Sequence, residues 1–120
     1  MSIFSIAASG LRAAQAEANL AANNIANANT AGFKAKTAEL TEAPTGGVAV
    51  SGVQQTGQSV DLPTQQANMK RAALMYDANG TVIHVANQML HSMLNILDNQ
   101  YQTGQTDADQ TPPPFRDAAR

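Results

Sequence analysis

The sequence predicts a mainly α fold: two long helices at the ends of the chain pair as a coiled coil, and a short irregular or β-containing arm lies between them. Three observations predict it. Apolar and small residues alternate at spacings of three and four near the N-terminus, large apolar residues recur every seven in the second half, and glycine, threonine and valine replace both patterns in between.

The first stripe runs Phe4, Ala7, Leu11, Ala14, Ala18, Ala21 and Ile25. Ser2 is placed to cap its start, and Asn27, Asn29, Thr30 and Gly32 are the residue types found where helices stop. A helix over roughly residues 3–28, about 40 Å long, is expected within an N-terminal segment 1–32. Its seam is mostly alanine, which lets two backbones approach closely. Asn19, Asn23, Asn24, Asn27 and Asn29 are mediocre helix formers, so a role other than propensity is expected for them.

Segment 33–60 reads as an arm or linker. Gly46-Gly47 precedes the alternating Val48, Val50 and Val53, which suggests one or two short strands. The second helix occupies segment 61–98, with Pro63 tolerated in its first turn. Leu62, Met69, Tyr76, Ile83, Leu90 and Leu97 form its seam, with Ala73, Ala86, Met93 and Leu94 beside it. Asp77-Ala78-Asn79-Gly80 resembles a turn, but the register persists beyond it, so a continuous helix is expected. Residues 99–120, with Pro112-Pro113-Pro114, read as a flexible tail.

Composition narrows the function. In 120 residues, 43% are hydrophobic but only 4% aromatic, so any private core is small and shallow. Leu74, Met75, Val82, Val85, Met89 and Ile96 lie off the second seam and would stay wet in a lone hairpin, which argues for assembly with other chains. A net charge of -2 with scattered basic residues gives no footprint for nucleic acid, and no run is long enough for direct membrane insertion. The N-terminus lacks the layout of a cleavable signal peptide.

No chemistry is expected. His84 and His91 are separated by about 10 Å of helix rise and have no carboxylate or cysteine at ligand spacing, so there is no metal site. Glu39 and Glu42 sit in the arm without a rigid setting, Ser51 has no nearby base, and Gly46-Gly47 lacks the lysine of a phosphate loop. No catalytic residue, no cofactor and no enzymatic activity are expected.

Ser9-Gly10-Leu11 and the run Ala22-Asn23-Asn24-Ile25-Ala26-Asn27-Ala28-Asn29-Thr30-Ala31-Gly32-Phe33-Lys34 resemble the N-terminal signature of flagellar rod, hook and hook-associated proteins. The second helix resembles that family's C-terminal signature through Val60-Asp61-Leu62, Asn68-Met69, Tyr76, Ala78-Asn79, Val82-Ile83, Met89-Leu90 and Leu94-Asn95. It departs at Gln65, Leu74, Thr81, Asn87 and Gln88, where charged residues are common, and at Gly80, where a better helix former is usual.

The resemblance implies a small structural subunit of the flagellar basal body, rod-like, stacked with other axial proteins and copies of itself. It also implies passage unfolded through the flagellar type III export apparatus and a final place in the periplasm-spanning basal body. The asparagine amides would then fix register between subunits. The expected assembly surface comprises Leu11, Asn24, Ile25, Asn27, Phe33, Leu62, Met69, Tyr76, Ile83, Leu90, Leu94 and Leu97. The competing expectation is a soluble helical-hairpin adaptor or export chaperone, stably folded by itself.

Overall fold

The computed structural model describes residues 2–109, with side chains as far as residue 104. The elements are α1 (Ile3–Ala26), β1 (Lys36–Glu42), β2 (Val48–Gln55) and α2 (Leu62–Asp109). The protein is thus mostly helical with a small antiparallel hairpin between its helices. It divides into two units, Met1–Ala86 and Asn87–Arg120.

Each helix starts on a local polar group. The Ser2 hydroxyl accepts from Phe4 N at 3.3 Å, and an Asp61 carboxylate oxygen accepts from Thr64 N at 3.2 Å and from the Thr64 hydroxyl. Asn27 closes α1: its backbone N donates to Asn23 O at 3.1 Å, and its side-chain Nδ2 donates to the same carbonyl at 2.9 Å. Gly32, at φ 75°, then turns the chain toward the arm.

α2 passes through residues 77–80 without a break. The polar groups that would favour a turn bond back to the helix instead: Asn79 Nδ2 donates to Met75 O at 2.8 Å, and the Thr81 hydroxyl donates to Asp77 O at 3.0 Å. The helix also continues beyond Leu97 to Asp109, so residues 99–109, expected as flexible tail, are helical. The chain there contains no proline, and the Thr103 hydroxyl donates to Asn99 O and Gln100 O at 3.0 Å. The rest of the expected tail, residues 110–120, lies outside the described residues.

Within the first unit α1 and α2 run antiparallel. Three contacts give the register: Asn24 bonds Gln65, Glu17 pairs with Arg71, and Gly10 lies against Asn79. Positions fall along α1 as they rise along α2. The inner row of α1 is therefore Ala7, Gly10, Ala14, Glu17, Ala21 and Asn24, and that of α2 is Gln65, Ala72, Asn79 and Ala86. This corrects the expected seams. Ala7, Ala14 and Ala21 are buried as expected, whereas Phe4, Leu11, Ala18 and Ile25 are only half-buried and Leu62, Met69 and Tyr76 are exposed. The reason is steric: the helices approach closely enough that a Cβ on Gly10 would stand 2.5 Å from Asn79 Oδ1, and large side chains do not fit between them.

The hairpin lies along α1. Its strands pair from Lys36 with Gln55 to Glu42 with Val48, and its turn uses Gly46 and Gly47 at φ 83° and 93°. Val48, Val50 and Val53 are not evenly spaced, and a β-bulge absorbs the extra residue. Glu39 pairs with Gly52 and Leu40 with Val50, leaving Ser51 between them, its hydroxyl donating to Glu39 O at 3.1 Å. The bulge returns Val53 to the face that carries Val48, Val50 and Leu40, all partly exposed.

Gly80 stands in mid-helix with open space where a Cβ would be. Gly80→Ala should therefore stabilise the full chain by about 1 kcal/mol. Circular dichroism at 222 nm through a urea titration checks this; an unchanged or lower midpoint would show that the fold needs the glycine.

Candidate functional site

Asn24 is the polar centre of the first unit. It is 1% exposed and is the largest fully enclosed side chain among the described residues. Its Nδ2 donates to Lys36 O at 2.7 Å and to Gln65 Oε1 at 2.9 Å, while its Oδ1 accepts from Lys36 N at 2.9 Å. One amide thereby ties α1 to the start of β1 and to the first turns of α2. A carboxamide suits this place because it offers two donors and an acceptor without carrying charge into a dry contact. The adjoining backbone closes the base of the hairpin: Ala35 N donates to Gln58 O at 2.9 Å and Thr56 N to Ala35 O at 2.8 Å.

Two turns nearer the N-terminus of α1, Glu17 Oε1 accepts from an Arg71 guanidinium nitrogen at 3.3 Å. Arg71 is 64% exposed, so this pair contributes at most about 1 kcal/mol. Glu17 Oε2 is buried and has no hydrogen-bond partner. At the far end of the hairpin the Ser9 hydroxyl accepts from Val48 N at 3.0 Å. Three polar contacts on one face of α1, at Ser9, Glu17 and Asn24, thus hold the arm and α2 in place.

The residues expected to form an assembly surface divide into four groups. Asn24 is engaged within the chain, and so buried a side chain has no surface left for another subunit. Asn27 serves the end of α1, and its Oδ1 accepts from the Thr30 hydroxyl at 3.3 Å. Leu11, Ile25, Phe33 and Ile83 are half-buried, with the Lys36 ammonium 5.6 Å from the centre of the Phe33 ring. Leu62, Met69, Tyr76, Leu90, Leu94 and Leu97 are exposed, Tyr76 by 50% and Leu94 by 60%.

Sequence periodicity did not single out Gly10, Glu17, Gln65 or Asn79. The available signal was the recurrence of small residues, every seven at Ala7, Ala14 and Ala21 and at twice that spacing at Ala72 and Ala86. By the register, the N-terminal start of α1 lies opposite the Ala86 region. In the second unit, Met89, Leu90, Met93, Leu94, Ile96 and Leu97 are all exposed, and residues 78–97 contain no aspartate, glutamate, lysine or arginine. The large apolar side chains of this stretch are thus concentrated on an exposed surface. Among the described residues no group of three or more histidine, cysteine, aspartate or glutamate side chains is placed to hold a metal ion, and no helix is long and apolar enough to cross a membrane.

Replacing Asn24 strands three polar atoms at once. Asn24→Ala should destabilise the chain by about 3 kcal/mol, and Asn27→Ala by about 1 kcal/mol or less. Hydrogen exchange provides the local readout: the Lys36 amide should lose its protection in Asn24→Ala and keep it in Asn27→Ala. Retained protection in the first variant would mean that the amide is not the anchor of the arm.

Comparison with known proteins places this architecture. Residues 4–34, which span α1 and the turn after it, match the family model described as flagella basal body rod protein. The flagellar hook proteins FlgE of Escherichia coli, Salmonella typhimurium and Salmonella typhi are each 36% identical to the chain over 98 residues, covering 70% of this chain and 24% of the relative. The chain spans about a quarter of the length of these relatives.

Proposed function

Because the chain belongs to the flagellar basal-body rod and hook family, we propose that it is a rod-like axial subunit of the bacterial flagellum that self-assembles through its terminal helices. The observation that carries this reading is the distribution of its side chains. Among the described residues the fully buried positions are alanines with Asn24 and Gln65, while most of the large apolar residues of α2 lie on the surface. A chain stabilised mainly by its own core would place them the other way round. Here the hydrophobic free energy remains to be gained on contact with neighbours, at about 25 cal/mol for each Å² of apolar surface removed from water.

The partners in this reading are other axial proteins and further copies of the chain, packed against α1 and α2 as a coiled coil of several helices. Leu11, Ile25, Leu62, Met69, Tyr76, Leu90, Leu94 and Leu97 supply the contact surface, and the amides of Asn24 and Asn27 act one step earlier, by fixing the shape of the subunit. A shallow core also suits passage through the flagellar export apparatus as an unfolded chain, since little stability opposes unfolding. The role is structural and needs no cofactor. Its place is the periplasm-spanning basal body.

Mass spectrometry of purified basal bodies should detect the protein, and a deletion strain should fail to swim; absence from the basal body together with normal swimming would sink the reading. A sharper test separates folding from assembly. Leu94→Ser combined with Leu97→Ser alters side chains that are 60% exposed, so the stability of the isolated chain should change by about 0.5 kcal/mol or less. Motility in soft agar should nonetheless be lost. A stably folded helical adaptor would keep its cooperative melt as a discrete small species and show no such dependence.

A further inference from the structure

Between the N-terminal half of α1 and the tip of the hairpin lies a half-open groove of about 420 Å³. Ser9 and Ala13 line it on the helix side, Val48 and Val50 on the strand side, and Arg12 stands among the lining residues. The groove is fixed in shape. Ser9 accepts from Val48 N, and a Cβ on Gly47 would meet the Ser9 hydroxyl oxygen at 2.2 Å, so the tip rests on α1 through a close contact that only glycine at φ 93° permits. Arg12 is exposed and has no ion-pair partner among the described residues.

We infer that this groove receives the α2 segment around Leu94, Asp98 and Tyr101 from a second copy of the chain, with Leu94 against Val48 and Val50 and Asp98 against Arg12. These three residues are spaced i, i+4, i+7 and share one face of the helix. Leu94 and Tyr101 are 60% and 70% exposed, and Asp98 is exposed with no ion-pair partner among the described residues. The charge pattern selects this stretch. Arg12 is the sole charged side chain in residues 2–16, and Asp98 is the first charge after the neutral run of residues 78–97. An apolar wall with a single cation beside it thus meets an apolar face with a single anion at its end, an arrangement that sets both the register and the polarity of the contact. The groove and the segment are built from different residues of the chain, so the contact is heterologous and propagates from copy to copy.

The inference rests on the axial-subunit reading, and the test keeps the two separable. The chain has no cysteine, so single cysteines report cleanly. Full-length Val50→Cys and Leu94→Cys proteins carrying tags of different mass are mixed, oxidised and run on a non-reducing gel, and the same pair is co-expressed and recovered in basal bodies. A disulfide-linked heterodimer is expected, and it should be lost when Gly57→Cys replaces Val50→Cys. Arg12→Glu or Asp98→Arg alone should suppress the heterodimer, and the two together should restore it. No heterodimer, equal yield with Gly57→Cys, or indifference to charge reversal would each overturn the contact. A chain present in basal bodies without the heterodimer overturns this contact and leaves the axial reading standing; the heterodimer in solution with no chain in basal bodies does the reverse.

Discussion

The close approach of α1 to α2 constrains the rest of the first unit. With Gly10 set against Asn79 and alanines along both inner rows, there is room between the helices only for small side chains and for a few polar ones with matched partners. Alanine contributes little burial free energy, so this contact is weak per residue. Specificity comes from the polar members. Asn24 is satisfied at one pairing of helices and arm, and a slip of α2 by one residue would separate it from Gln65 and leave buried amide atoms without partners. The helix contact is thus shallow in energy and narrow in geometry.

The arm follows from the same anchor. Lys36 is held by both its backbone N and its O, so β1 starts from a fixed point on α1, and the strand register then carries the turn to Ser9. The bulge at Ser51 interrupts the ladder in exchange for side-chain direction, placing Val53 on the face of Val48 and Val50. A two-stranded ribbon has little stability alone, and this one depends on contacts at both of its ends. Loss of Asn24 would therefore reach the tip of the hairpin, several strand residues away.

Much of the architecture was legible in the sequence because local rules governed it. The Ser2 cap, the start of the second helix near residue 61, the glycines at 46 and 47 before the valines and the persistence of the heptad through Gly80 are all short-range signals. The orientation of each helix within its apolar arc was not. Both helices have arcs wider than one seam, and periodicity locates such an arc without saying which edge faces inward. Counting only apolar residues favoured Phe4, Leu11 and Ile25 over Gly10, Glu17 and Asn24, since a glycine and two polar residues score against a core position. The inner row was decided by how near the backbones come, a property of two helices together. The helical continuation to Asp109 was missed for a different reason, because a polar composition argues against burial but does not forbid a helix.

An inside-out arrangement of this kind separates the two tasks that hydrophobic residues usually perform together. Small and polar groups define the shape, and large apolar groups of α2 are left exposed, where the proposed axial role would have them join subunits. The separation has a geometric consequence. Because Asn24 and Gln65 set the register of α2 on α1, they also set where the exposed rows of α2 stand relative to the arm within the first unit. A surface of leucines and methionines alone tolerates sliding, since one such side chain packs nearly as well as the next. Within the first unit the outward rows of α2 are indexed to a buried amide, and in the contact proposed between copies a single charge at the end of a neutral run would choose one alignment among those that hydrophobic contact alone allows.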